Sequence, residues 1–263
     1  MLFRSYNDKN VAGASTINYT GVALAGAEAK NYTLAATTAQ GAGTIGRRAL
    51  TVGTVGAQSK TYDGNTSADA SRFHATLNNV VAGEEGSVTA AAAGATYNSK
   101  DVATANTVGY TGVALTGAGA GNYSIASTAQ GAGKITPKQL ALALTSSARF
   151  DKTYDGNANV AQALSKGTHY TLSGFIPGEG AGIGLGAVTG KYSDKNAAQD
   201  KAVTFGDLTL TGTGAGNYTL NKTTLTGTGT ISRRALTLGA VAAQTKTYDG
   251  STKIGRASCR ERV

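Results

Sequence analysis

The chain has 263 residues, 37 of them glycine, no tryptophan, one cysteine and a formal net charge of +9. With 40% hydrophobic and only 15% charged residues it is too apolar and too tyrosine-punctuated for a disordered segment, so it folds. One cysteine excludes an internal disulfide framework, and no apolar run of about eighteen residues is present to make a transmembrane helix.

Residues 1–46 read as the back half of a repeating unit. Ile17 and Tyr19 share one parity and Val22 and Leu24 the other, so strand alternation shifts by one residue near Thr20 and Gly21. Residues 47–135 repeat that shift between Val108, Tyr110 and Val113, Leu115. Residues 136–231 repeat it between Val203, Phe205 and Leu208, Leu210. One extra residue at a fixed point of every unit predicts a β-bulge or a sharp strand corner. Capped runs of helical period are absent, and the alanines at 90–93 read as loop or strand. Short strands between Gly, Asn and Asp turns predict an all-β fold of tandem Ig-like, Greek-key sandwich modules.

Recurring blocks set the register. Lys-Thr-Tyr-Asp-Gly occurs at 60–64, 152–156 and 246–250, with its tyrosines 92 and 94 residues apart. Tyr-x-x-Lys begins at Tyr6, Tyr97 and Tyr192, and Asn-Tyr falls at Asn31, Asn122 and Asn217. Gly-x-Ile ends at Ile45, Ile135 and Ile231, and Gly-Glu occurs at Gly83 and Gly178. A fixed period marks a repeat architecture. The predicted units are 1–46 (partial), 47–135 and 136–231 (complete), and 232–253 (the first strand of a fourth). Residues 254–263 break the Gly/Thr/Ala texture and read as a translated sequencing adapter. Setting them aside removes Cys259 and, with three arginines and one glutamate, lowers the net charge from +9 to +7. Almost no residues separate one unit from the next at Ile45, Ile135 and Ile231, which predicts units held at a restricted angle in an elongated array.

Of 12 tyrosines, 11 fall on four repeat positions, with Phe205 standing in at one of them and only Tyr170 outside. Recurrence at one structural position predicts buried rings for Tyr62, Tyr97, Tyr123, Tyr154, Tyr192 and Tyr218. The stretch around Tyr218 has the look of a tyrosine corner.

Candidate chemistry gives way at each position to a structural reading. His74 and His169 share a register, one per unit, and neighbouring units lie too far apart for them to share a metal. Asp63, Asp155 and Asp249 sit in Asp-Gly turns without the spacing of a calcium loop. The glycines between Gly178 and Gly186 imitate a phosphate loop, but no helix pattern follows them. No nucleophile signature is present, so no catalytic, cofactor-binding or metal residue is assigned, no cofactor is expected, and the chain is not expected to be an enzyme. The basic residues are scattered singly or at the joints and read as a solvated surface, without the clustered stripe that nucleic acid requires. Thr224, Thr226, Thr228 and Thr230 alternate on one face and read as solvent-facing. A carbohydrate-binding adhesive module using loops or this threonine face is the alternative function.

Taken in order and spacing, Lys-Thr-Tyr-Asp-Gly, Gly-Glu, Tyr-x-x-Lys, Asn-Tyr-x-Leu and Gly-x-Ile resemble YDG repeats over residues 6–250. Such repeats occur in large filamentous-haemagglutinin-like adhesins of Gram-negative bacteria. The resemblance implies a secreted protein held at the cell surface, with these modules as structural stalk or spacer. It brings no catalytic residues. Neighbouring repeats of the same chain are the implied partners, and host or matrix glycans would be contacted by other parts of the parent protein.

Overall fold

The computed structural model describes residues 2–253, and the segment read as adapter, 254–263, lies outside them. Among the described residues all regular structure is β-strand, with short 3-10 turns and no α-helix. In residues 136–231 one sheet has four strands in the order Lys152–Thr153, Leu225–Ser232, Ala198–Phe205, Lys191–Tyr192. Opposite it, Lys138–Leu144 lies between Tyr170–Ser173 and Tyr218–Leu220, and Gly184–Leu185 pairs with Leu210–Thr211. Residues 47–135 repeat the plan. Gln58–Thr61, Thr128–Thr136, Thr107–Thr111 and Gly94–Tyr97 form the four-stranded sheet, and the alanine cluster becomes strand Thr89–Ala91.

The all-β expectation holds, but the pairing is not uniformly antiparallel. Lys152 pairs in parallel with Ile231, and Lys138 in parallel with Tyr218. The first strands of a unit are thus held by its last ones. Alternation along Ala198–Phe205 and Leu225–Ser232 buries Val203, Phe205, Leu225 and Ile231 and leaves Thr204, Thr226 and Thr228 outside. One face of each strand supplies core and the other meets solvent.

The parity shift is a corner. After Thr107–Thr111 the chain turns through Gly112 (φ +62°) and continues as Ala114–Thr116, which pairs in a different sheet with Thr89–Ala91. Asp207 (φ +53°) makes the same turn ahead of Leu210–Thr211. Left-handed backbone there needs glycine or a tolerant residue such as Asp. The glycine of each Gly-x-Ile block has a packing role instead. A Cβ on Gly43, Gly133 or Gly229 would come within 3.0 Å of the ring of Tyr6, Tyr97 or Tyr192 respectively, so bare backbone lets that ring lie on the final strand.

The two complete units solve one core position differently. Gln58 Nε2 donates to the Tyr110 hydroxyl at 2.7 Å, and Tyr110 is also tilted against Phe73 at 4.7 Å. At the matching positions of residues 136–231 stand Phe150 and Phe205, with ring centroids 4.8 Å apart. A buried hydroxyl and its acceptor or donor must be kept or lost together.

Residues 233–253, read as the opening strand of a fourth unit, contain no strand. The equivalents Lys138–Leu144 and Lys152–Thr153 are paired by strands from later in their own unit. Those partners of 233–253 are not among the described residues.

Gln58→Phe alone should destabilise the chain by about 1–3 kcal/mol, since it strands the Tyr110 hydroxyl. Adding Tyr110→Phe should recover most of that loss. Urea melts of the two single variants and the double variant measure the coupling.

Candidate functional site

Each letter of the Tyr-Asp-Gly turn has a separate task, and all three are organised by the lysine in front of them. Lys60 Nζ donates to Asp63 Oδ1 (2.7 Å), to the Asn65 carbonyl (2.9 Å) and amide oxygen (2.9 Å), and to the Ser67 carbonyl (3.0 Å). Lys152 makes the same four contacts to Asp155, Asn157 and Asn159 at 2.7–3.1 Å. Lys246 repeats them on Asp249, Ser251 and Lys253 although no sheet surrounds it. The ammoniums of Lys60 and Lys152 also stand over the rings of Tyr97 and Tyr192, at 5.4 and 5.5 Å. Convergent oxygens of this kind usually hold a cation, and here the cation is the chain's own. The hydrogen bonds from Lys152 and from the Asn157 N–H hold the Asp155 carboxyl below its ordinary range. Among the described residues no group of three or more His, Cys, Asp or Glu side chains is placed to bind a metal.

Tyrosine and glycine of the turn face the next unit. Tyr62 Oη donates to Glu179 Oε1 at 2.8 Å, and Tyr218 Oη donates to Glu179 Oε2 at 2.5 Å. The two rings meet edge to face at 5.4 Å, and Phe175 meets Tyr218 likewise at 5.2 Å. Gly64 (φ +82°) lies so close that a Cβ would be 3.2 Å from Ile176 Cγ2. Lys100 Nζ stands 3.9 Å from Glu179 Oε1. Beside it, the Val102 N–H donates to Asn217 Oδ1 (2.9 Å), and Asn217 Nδ2 donates to Asp101 Oδ1 (2.8 Å).

The joint before residue 47 uses the same positions. Tyr123 Oη donates to Glu84 Oε2 at 2.7 Å, and Lys9 Nζ lies 3.5 Å from Glu84 Oε1. The Val11 N–H donates to Asn122 Oδ1, and Asn122 Nδ2 donates to Asn10 Oδ1, both at 2.9 Å. Each unit therefore presents Glu, Asn and Tyr at its leading end to Lys, an Asn or Asp side chain and a backbone N–H at the trailing end of its predecessor.

The joint is apolar beneath this network. Tyr62 and Ile135 belong to one buried cluster with Leu140, Ile183 and Tyr218, so the core of 47–135 continues into the next unit. Leu50, Val88 and Tyr123, the counterparts of those last three, form a separate cluster. No described residue stands across them as Tyr62 stands across Tyr218. The covering partner also decides the burial of the turn tyrosine. Tyr62, Tyr97, Tyr123, Tyr192 and Tyr218 are buried as expected, whereas Tyr154 is only half-buried, because no folded leading end is described against it.

The geometry corrects two further expectations. The Tyr218 hydroxyl is no tyrosine corner, since it accepts the N–H of Ile176, 42 residues upstream, while donating to Glu179. Gly178 and Gly180, both at positive φ, bracket Glu179 and turn its carboxylate toward the joint. The basic residues are not simply a solvated surface. The Lys152 side chain is 8% exposed, the Lys201 side chain is 5% exposed against Asp194 at 2.6 Å, and Arg48 Nε caps the Asn79 carbonyl at 2.7 Å. The two histidines share a register but not an environment. His74 is exposed, whereas His169 is buried, accepts the Ser165 N–H on Nδ1 at 2.9 Å and stacks on Phe150. Its Nε2 lies 2.9 Å from the Gln162 side-chain amide.

Hydrogen bonds from Tyr218 and Tyr62 hold the Glu179 carboxyl below its ordinary range, against the effect of burial. Burial and the bond to Glu179 push Tyr62 and Tyr218 up to about 12. A depressed carboxyl stabilises the fold fully above its unfolded value of about 4.5 and loses that contribution as pH falls through the folded value. A raised phenol contributes fully below its unfolded value of 10.0 and loses that contribution as pH rises through about 12. The Tm difference between the wild-type chain and Glu179→Gln should therefore be positive from about pH 5 to pH 10 and shrink on both sides. Differential scanning calorimetry across pH measures it. Separately, Lys152→Met should cost about 1.5–3 kcal/mol, and Lys152→Arg should not restore the loss, because a planar fork cannot serve four converging oxygens. Chelator should leave the wild-type Tm unchanged.

No helix of the described residues is long and apolar enough to cross a membrane. Among curated proteins and among solved structures nothing matches the chain. A family model described as YDG domain matches residues 46–130 and again 136–225, two stretches that overlap residues 47–135 and 136–231 and carry their Lys-Thr-Tyr-Asp-Gly turns. The chain belongs to the YDG domain family.

Proposed function

We propose that these units are the structural stalk, or spacer, of a large secreted adhesin of the filamentous-haemagglutinin-like kind, held at the surface of a Gram-negative bacterium and without enzymatic activity. The observation that carries the reading is where the recurring residues go. Lys60, Tyr62, Asp63, Gly64, Lys100, Glu179, Asn217 and Tyr218 are all engaged in a turn or in the joint that follows it. A residue that recurs to bind a ligand would have to remain available at each copy. Only one residue, Pro137, separates the last strand of one unit from the first strand of the next, Thr128–Thr136 and Lys138–Leu144. A joint with a continuous core and no slack transmits position along the chain, as a spacer must.

Small-angle scattering on residues 47–231 should report an elongated two-module particle, and Tyr62→Ala with Glu179→Ala should increase its flexibility without unfolding either unit. In the parent protein, exchanging one unit for another should leave adhesion unchanged, whereas deleting several should shorten reach. A compact globule, or saturable binding of glycans by 47–231, would favour the carbohydrate-binding module instead.

A further inference from the structure

Residues 73–78 and 168–173 occupy the same place in the two complete units. The carbonyls of His74 and His169 accept the N–H groups of Gly56 and Thr145, and Leu77 and Leu172 pair with Val52 and Leu142. Within this matched frame the side chains differ in size. Tyr170 stands where the earlier unit has Ala75. Leu185, paired with Leu210, stands where it has Ala90, paired with Leu115. The Tyr170 ring is buried and its hydroxyl accepts the Leu185 N–H at 2.8 Å, so it spans the gap between Tyr170–Ser173 and Gly184–Leu185. Lys166 closes the mouth of that gap by donating to the carbonyls of Gly180 (2.7 Å) and Ile183 (2.8 Å). It sits on a loop three residues longer than its counterpart, measured from the turn tyrosine to the histidine.

Residues 47–135 lack all three of these groups. A cleft of about 720 Å³ opens there between Ala75–Asn78 and Thr89–Ala91, with Phe73, Leu77 and Val88 among its walls. Glu85, the counterpart of Gly180, is exposed on its lining, and its carboxylate accepts the Gly83 N–H at 2.8 Å. The volume is that of a small-molecule site, and the walls are mostly apolar with a few polar groups.

We propose that this cleft binds a free aryl amine of the tyramine type. The phenol ring takes the place of the Tyr170 ring, its oxygen directed to the amide of Ala90 as Tyr170 is directed to that of Leu185. The ammonium takes the place of Lys166, opposite Glu85. Ring burial supplies the larger part of the affinity and the exposed charge pair a smaller part. The site is independent of the spacer reading and belongs to residues 47–135 alone, since the sister unit fills it with its own side chains.

Tyramine titrated into the full chain, followed by calorimetry and by NMR shifts of residues 73–90, should saturate a single site. p-Cresol should bind more weakly, and n-butylamine should not bind. Ala75→Tyr combined with Ala90→Leu should weaken tyramine at least ten-fold while keeping or raising Tm, as cavity filling does. If that variant does not fold, Glu85→Gln provides the second arm. It alters an exposed residue and should weaken tyramine by up to about five-fold while leaving p-cresol unchanged. Absence of saturable tyramine binding, binding that neither variant weakens, or butylamine binding as tightly as tyramine would overturn the proposal.

Discussion

Glu179 lies at a boundary between two units, in contact with two tyrosine hydroxyls and near a lysine ammonium. A carboxylate partly withdrawn from water is stabilised by donors, and the donors here come from both sides of the boundary. Tyr218 belongs to the carboxylate's own unit, and Tyr62 and Lys100 to the one before. The packing around it follows from that requirement. The rings of Tyr62 and Tyr218 must meet, Gly64 must leave room for Ile176, and Gly178 and Gly180 must turn the loop so that Glu179 points outward from its own core. The Asn217 amide then fixes rotation about the joint through its two bonds to Asp101 and Val102. The sharing of one acid makes the trailing end of a unit incomplete without a successor, which is why Tyr154 remains half-exposed.

Much of the fold is legible in the sequence because alternation and turn chemistry are local. The period, the all-β class, the corner at Gly112 and Asp207 and the burial of most recurring tyrosines all follow from residues close in the chain. The parallel pairing of Lys152 with Ile231 is not legible, because nothing in either strand names a partner 79 residues away. The joint escapes sequence reasoning for a related reason. Lys60, Glu179 and Asn217 recur in plain view, but a charged or amide residue in a loop reads as solvated until the neighbouring unit is brought against it. The available sign is the recurrence of one acid and one base at fixed positions in loops that otherwise diverge. Tyr154 departs from expectation because burial belongs to a position together with its neighbour, and recurrence reports only the position.

The two complete units keep the joint and vary the interior. Gln58 with Tyr110 becomes Phe150 with Phe205, and a hydrogen bond gives way to a ring contact of similar size. His169 enters the core with a hydrogen-bond partner on each ring nitrogen, whereas His74 remains at the surface. Such exchanges are tolerated because none leaves a buried polar atom unpaired, and no unpaired buried side-chain N or O atom is found among the described residues. The constant residues are the ones that must fit a different unit, and the variable ones need only fit each other.

The turn at Lys246 closes around its own ammonium with no sheet to support it, while the strands that complete a unit are paired by segments from its far end. Order within a unit therefore arises in two stages of very different reach. A ring of about seven residues closes at small entropic cost, and a loop of about eighty must be closed before the parallel strands can pair. The leading end of the next unit then meets strands already paired in its predecessor and completes that trailing end. A chain that folds from its N-terminus would therefore assemble unit by unit, each module serving as the template on which the following one settles.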